Sequence, residues 1–267
     1  MQLDLQAVRQ QAEAIAREAG QCAMSYFNGP LTQDTKQTPY DIVTEADRDT
    51  ETFLVGAIQR EFPAHHIVGE EGGGTGAPVE SADYRWYIDP IDGTTNYVNR
   101  IPIFAVSLAL TDRDMKPLVS VVYNPAHGEL YSAARGYGAT LNGAPLRVTG
   151  VTELGSCVLG SGFPYDKYTN EDNNLAEWGR FLRRTRGLRR MGSASLDLCY
   201  VAAGRFDGYW ESRLNPWDYL GGVLCVTEAG GTVSDYQGGA DYHSTRQIIA
   251  SNGHIHAQMI EVLTKQA

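Results

Sequence analysis

Apolar residues recur every three or four positions across residues 3–27: Leu5, Val8, Ala12, Ile15, Ala19, Cys22 and Tyr26, with Gln, Arg and Glu between them. That spacing places them on one side of an amphipathic α-helix. Residues 28–43, broken by Gly29-Pro30 and Pro39, read as loop. A second helix is predicted to start near Thr44, which forms a capping pair with Asp47, and to bury Phe53, Leu54, Ala57 and Ile58. After a glycine-rich stretch at 69–76 the period changes to two, with Tyr84, Trp86 and Ile88 on one face of a strand at 84–89. Further strands are predicted at 103–111, 117–123 and 129–134. Asn142-Gly143 marks a tight hairpin between 139–141 and 145–148. The first half therefore reads as helices on a mostly antiparallel sheet.

The second half alternates strand and helix: strands near 156–161, 206–211, 231–235 and 247–250, helices around 171–184, 195–203 and 216–229, and a closing helix. Such alternation predicts an α/β layer. The expected division is an N-terminal α+β domain, 1–150, and a C-terminal α/β domain, 151–267. With no linker or repeat between them, a cleft where they meet is the natural ligand site.

Composition narrows the class. At 42% hydrophobic and 20% charged residues, the chain is ordinary for a globular protein. Its net charge of −10 argues against generic nucleic-acid or anionic-membrane binding. An anionic substrate stays open, because bound cations can reverse the local sign. The N-terminus has no signal-like apolar core, and no apolar run is long enough to span a bilayer. Cys22, Cys157, Cys199 and Cys225 are scattered without a metal- or disulfide-like spacing. They read as reduced thiols of a cytoplasmic protein. The histidines lack ligand spacing too; His65-His66 and His254/His256 read as surface or loop residues.

The strongest chemical signal is Asp89-Pro90-Ile91-Asp92-Gly93-Thr94-Thr95-Asn96. A strand ending in Asp89 exposes that carboxylate at the sheet edge, Pro90 fixes the turn, and Asp92 points back toward the same spot. Gly93-Thr94-Thr95 can offer free amides at a helix start, an anion site. Carboxylates beside an anion cradle make electrostatic sense only with cations between them, and Mg²⁺ suits an all-oxygen set. The alternative for the Asp pair is simple turn formation. Gly69-Glu70-Glu71 could equally be a solvated face. Asp218, after the N-cap Asn215 and Pro216 at the first helical position, could serve only its own helix, as could Asp47.

Taken together, VTEAD (43–47), GEE (69–71), DPIDGTTNY (89–97) and WDYLGGVLCVTEAGG (217–231) resemble the inositol monophosphatase family of Mg²⁺-dependent phosphatases. YNPAHGELYSAARGYGATLNG (123–143) and GSASLDLCYVAAGRFDGYWE (192–211) extend the likeness across nearly the whole chain. The resemblance implies a layered αβαβα fold with an active site between the halves, two or three Mg²⁺ per site, and a homodimer inhibited by Li⁺. It also implies that Glu70, Asp89 and the Ile91 carbonyl hold one metal, and Asp89, Asp92 and Asp218 a second. Glu70 would serve a third, weaker site, with Asp47 in the outer shell. Glu70 and Thr94 would orient the attacking water for in-line displacement, a reaction governed by positioning and charge neutralisation. The Gly93 and Thr94 amides would hold the phosphoryl oxygens.

Within the family, Thr95-Asn96 after DPIDGT resembles the inositol monophosphatase branch; branches acting on adenosine bisphosphates or histidinol phosphate usually carry lysine at the Thr95 position. Glu211, Ser193 and Ala194 would contact the substrate alcohol. The expected substrate is a small phosphorylated polyol or sugar, myo-inositol 1-phosphate first. A fructose-1,6-bisphosphatase or dual-specificity enzyme is the alternative, and a binding partner of the transcription machinery is one of another class. The run Arg183, Arg184, Arg186, Arg189 and Arg190 reads as a solvated helix end, or as a site for a second phosphate.

Overall fold

The computed structural model describes residues 3–36 and 38–264. Helix α1 (Leu5–Phe27) begins where the Asp4 side chain accepts the Gln6 and Ala7 amides. Next comes a hairpin, β1 (Gln33–Thr35) and β2 (Ile42–Thr44), inside the segment expected to be loop. Its strands are three residues long and β1 is fully exposed, so no apolar alternation announces it. Helix α2 (Glu45–Glu61) starts with the expected capping box: Asp47 accepts the Thr44 amide at 2.8 Å.

Eight strands form the first sheet: β3 (His66–Gly69), β4 (Gly73–Gly76), β5 (Tyr84–Asp92), β6 (Ala105–Asp112), β7 (Pro117–Asn124), β8 (Glu129–Ala134), β9 (Ala139–Leu141) and β10 (Ala144–Pro145). Their order is β10-β9-β8-β7-β6-β5-β3-β4, antiparallel except for β3 beside β5. The short helix α3 (Thr94–Val98) follows β5. Strand β4, a Gly-Gly-Thr-Gly edge, lies in the stretch read only as glycine-rich. Strand β6 is buried along nearly its whole length because both faces of the sheet are covered, which is why residues 105–110 are apolar on both faces apart from Ser107.

The second sheet contains β11 (Val158–Ser161), β12 (Gly187–Arg189), β13 (Gly208–Ser212), β14 (Thr232–Ser234) and β15 (Gln247–Ser251), ordered β12-β11-β13-β15-β14. Strands β12, β11 and β13 are parallel and the rest antiparallel. Helix α4 (Leu175–Leu182) ends before the arginine run, so Arg189 lies on edge strand β12 and the run is not simply a helix end. The remaining helices are α5 (Ala194–Ala202), α6 (Pro216–Glu228), α7 (Tyr242–Thr245) and α8 (His256–Thr264).

These elements stack in five layers. Val8, Ala12 and Ile15 of α1 and Leu54 and Ile58 of α2 pack on Trp86, Leu108 and Val121 of the large sheet. Its opposite face, with Ala109 and Val122, meets Leu198 of α5 and Leu220 and Leu224 of α6. Those helices also cover one face of the small sheet through Tyr209 and Ala250, while Phe181 of α4 and Met259 of α8 cover the other through Trp210 and Ile249. The result is the αβαβα arrangement. The four cysteines are free, three of them buried.

Two of the histidines read as surface or loop residues are buried, His65 in the loop before β3 and His256 at the start of α8. His65 stacks on Phe62 and accepts the Trp86 indole N–H at 3.1 Å. His256 sits between the hydroxyls of Ser234 (2.8 Å) and Ser251 (2.9 Å), and burial lowers its basicity. In the unfolded chain it takes a proton near its ordinary value, in the folded chain only at lower pH. This histidine therefore withdraws stability as pH falls below about 6.5. His256→Gln should flatten the fall of Tm between about pH 7 and pH 5; an unchanged slope would show that this imidazole stays neutral without cost.

Candidate active site

The acids converge where β5 stops pairing regularly. Asp89 pairs with Ser107 and Asp92 with Ala105, so β5 carries an extra residue in a bulge at Pro90-Ile91. Proline, lacking an N–H, gives up no ladder bond there. Asp89 Oδ1 accepts the Ile91 amide at 2.9 Å, the turn-forming bond expected of such an aspartate. Turn formation and site membership are thus combined in one side chain.

Carboxylate oxygens of Glu70, Asp89 and Asp218 lie within 4.8 Å of one another. Glu70 directly follows β3, the parallel neighbour of β5. The turn that presents it is held from α2, where Glu51 accepts the Glu71 amide (2.9 Å) and the Gly72 amide (2.5 Å). A Cβ at Gly69 would lie 2.6 Å from the Glu51 carboxyl carbon, which accounts for the glycine before the two glutamates. Asp218 sits in the first turn of α6, accepting the Asn215 amide at 2.6 Å in the capping box expected from Asn215-Pro216.

Asp92 lines the same cavity but stands outside that cluster. Its carboxylate accepts the Ser193 hydroxyl (2.7 Å), the Ser195 amide (2.7 Å) and hydroxyl (2.5 Å), and the Ala194 amide (3.3 Å). Asp92 therefore ties the β5 bulge to the start of α5. Thr94 Oγ1 lies 3.3 Å from Asp47 Oδ1 and 3.1 Å from the Ile91 carbonyl, both acceptors. Asp47 is buried behind Thr94, not on the cavity wall. Gly93 adopts φ 99°, and a Cβ there would come within 3.0 Å of the Gly192 carbonyl, so only glycine turns the chain here.

The cluster is electrostatically strained. Burial raises the pKa of Glu70, Asp89, Asp92 and Asp218, and for Asp89 the charges of Glu70, Asp92 and Asp218 add to it. Asp47 is pushed up to about 6 by burial, against its bonds from Thr44. Among the described residues Lys36 is the cation salt-bridged to the cluster: its Nζ lies 2.7 Å from Glu70 and 2.6 Å from Glu71. Burial disfavours its charge, yet the two glutamates outweigh that and hold it protonated.

Lys36, Glu70, Asp89, Asp92, Thr94 and Asp218 line a cavity of about 450 Å³. Ile91, Gly93, Ser193, Ala194 and Glu211 also face it; Thr95, expected in the phosphate cradle, is exposed and lies outside the lining. Tyr40 from the β1–β2 hairpin and Tyr168 from the loop after β11 pack with ring centroids 4.4 Å apart, close along the chain to the lining residues Asp41 and Asp166. Lys167 Nζ lies 4.8 Å from the centre of the Tyr168 ring. Lys36, Glu51 and the Tyr40–Tyr168 contact were missed in the sequence. Their partners lie far along the chain, and no local motif marks them.

Residues 4–267 match the inositol monophosphatase family. The chain is 46% identical to the Nus factor SuhB of Pseudomonas aeruginosa over 214 residues, 79% of each chain. It is 45% identical to the inositol-1-monophosphatase of Synechocystis sp. over 223 residues, 84% of this chain and 77% of that one. The inositol monophosphatase of Anabaena (Nostoc) sp. superposes with a TM-score of 0.89 at 40% identity, covering 98% of this chain and 96% of that one. A match over this length, joined to the five-layer fold and the gathered carboxylates, settles membership: the chain belongs to the inositol monophosphatase family and is a phosphatase.

Proposed function

We propose that the chain hydrolyses the phosphate monoester of a small polyol, myo-inositol 1-phosphate above others, with Mg²⁺ as cofactor. The supporting observation is the convergence of Glu70, Asp89 and Asp218 on one cavity wall, with Thr94 and Asp47 beside them. One buried carboxylate and two half-buried ones, with only Glu70 paired to a lysine, suit a hard divalent cation, and their donors are all oxygen. Glu70, Asp89, Asp218 and the Ile91 carbonyl would hold Mg²⁺, with Asp92 as a further ligand. Bound there, the ion supplies positive charge against the phosphate dianion and acidifies water.

The chain's own groups do the remaining work. Thr94 Oγ1, donating its own proton to Asp47 Oδ1, presents a lone pair to a water and would take the water's proton as it passes its own to the Asp47 carboxylate, while Glu70 orients that water. Asp47, titrating near 6, is largely ionised at neutral pH and available as the acceptor. The Gly93 and Thr94 amides, at the turn into α3, would hold phosphoryl oxygens. Ser193, Ala194 and Glu211, on the cavity's other side, would meet the leaving alcohol. In the same reading the protein is cytoplasmic, homodimeric and inhibited by Li⁺, with its two domains meeting near residues 145–155. Among the described residues no helix is long and apolar enough to cross a membrane.

A fructose-1,6-bisphosphatase is favoured by one observation: Arg190 lines the cavity with no hydrogen bond or salt bridge among the described residues. Comparing kcat/KM for myo-inositol 1-phosphate and fructose 1,6-bisphosphate in Mg²⁺ should favour the first. Equal or higher values for the bisphosphate reverse that order, and no phosphate release from either overturns the reading. The Pseudomonas relative's name favours an added role in transcription. Cells rescued by a catalytically dead Asp89 variant would support that role.

A further inference from the structure

One carboxyl group in the cavity has no hydrogen-bond partner among the described residues. Asp197 lies in the first turn of α5, one turn beyond Ser193 and Ala194, and shares their cavity-facing side. It is only 2% exposed. Its Oδ1 is buried without a hydrogen-bond partner, and neither carboxyl oxygen bonds another group among the described residues. Buried polar groups are almost always paired, because leaving one unpaired forfeits its hydration without return. Nor does Asp197 cap its helix: it accepts no amide among the described residues, and Asp92 takes those of Ala194 and Ser195 at the start of α5.

The surroundings point to the missing partner. The charges that act on Asp197 are those of Glu211, Asp92 and Arg190. Glu211 reaches the same cavity from β13, accepting the Tyr209 hydroxyl. A Cβ at Gly162 would sit 2.2 Å from the Glu211 carboxylate, so glycine there leaves room for that carboxylate. Two acidic side chains on facing elements, one with no donor at all, form a wall of hydrogen-bond acceptors. A hydroxyl is the neutral group that donates to such a wall without bringing charge.

We propose that Asp197 is a specificity-determining residue that accepts a hydroxyl of the leaving alcohol. With Glu211 it makes the site select polyhydroxylated alcohols over simple ones. This rests on the phosphatase reading above and names a contact which that reading leaves unassigned. A site built around a buried acceptor rejects ligands lacking the matching hydroxyl, because the acceptor then stays unpaired.

The test is the ratio of kcat/KM for myo-inositol 1-phosphate to that for p-nitrophenyl phosphate, whose leaving group has no free hydroxyl, at fixed Mg²⁺. Asp197→Asn, nearly isosteric, should lower that ratio by about 10-fold, the worth of one hydrogen bond. Asp197→Ser serves as the second variant, and a thermal melt of each reports folding. A ratio that stays put, whether both activities fall together or neither falls, overturns the proposal and leaves Asp197 a structural acid. If the wild-type protein hydrolyses p-nitrophenyl phosphate but prefers it, the specificity proposal alone fails. If it releases phosphate from neither ester, the phosphatase reading fails first and takes this one with it.

Discussion

Asp89→Asn should lower kcat/KM toward myo-inositol 1-phosphate by about 10³-fold or more at saturating Mg²⁺, as expected for losing a charged group from the reacting centre. The same change should raise the Tm of the metal-stripped protein. Asp89 is 2% exposed and faces the charges of Glu70, Asp92 and Asp218, so an amide of equal size relieves buried repulsion. Its bond to the Ile91 amide survives in asparagine through the side-chain carbonyl. Activity lost while stability is gained is the signature of a residue kept for function. Asp92→Asn should behave differently. The Asp92 carboxylate accepts two hydroxyls and two amides at the start of α5, and an amide nitrogen would confront donors there. That variant should lose both activity and Tm. Near-wild-type turnover in Asp89→Asn would remove the acid cluster from the mechanism.

Divalent metal should control stability as well as rate. In the stripped protein the raised carboxyls of Glu70, Asp89 and Asp218 hold protons that the unfolded chain releases at ordinary acidic values. The folded state then binds more protons than the unfolded one, so their contribution to stability falls as pH rises through that window. Adding Mg²⁺ should reverse the loss, and more so at pH 8 than at pH 6, because the ion displaces protons from its ligands. At about 100 times its dissociation constant a ligand adds roughly 2.7 kcal/mol. For a chain of this size that corresponds to a Tm rise of roughly 5 °C or more. A metal-induced shift that does not grow with pH would mean that the acids are not its ligands.

What the sequence revealed was what a few consecutive residues encode. Thr44 with Asp47, and Asn215-Pro216 with Asp218, announce helix starts because capping is settled within four residues. The alternation of Tyr84, Trp86 and Ile88 announces β5 for the same reason. Short strands escaped: β1 is wholly exposed, β4 is mostly glycine, and β12 lies within a charged run. Burial that depends on distant partners escaped too, as with His65 beneath Trp86. In the site, Asp47, Glu70 and Asp218 were each explicable locally, and only the family likeness drew them together. Lys36, Glu51 and Asp197 carry no local mark. Their significance comes from a glutamate 34 residues on, a turn 20 residues on, and a cavity wall built from both sheets.

The most direct test of the central claim is phosphate release from myo-inositol 1-phosphate by protein stripped of metal with a chelator, then titrated with Mg²⁺ at constant pH. The expected result is no measurable turnover when stripped and saturable recovery with Mg²⁺, absent in Asp89→Asn across the same titration. Turnover by the stripped enzyme equal to that with Mg²⁺ would contradict the account.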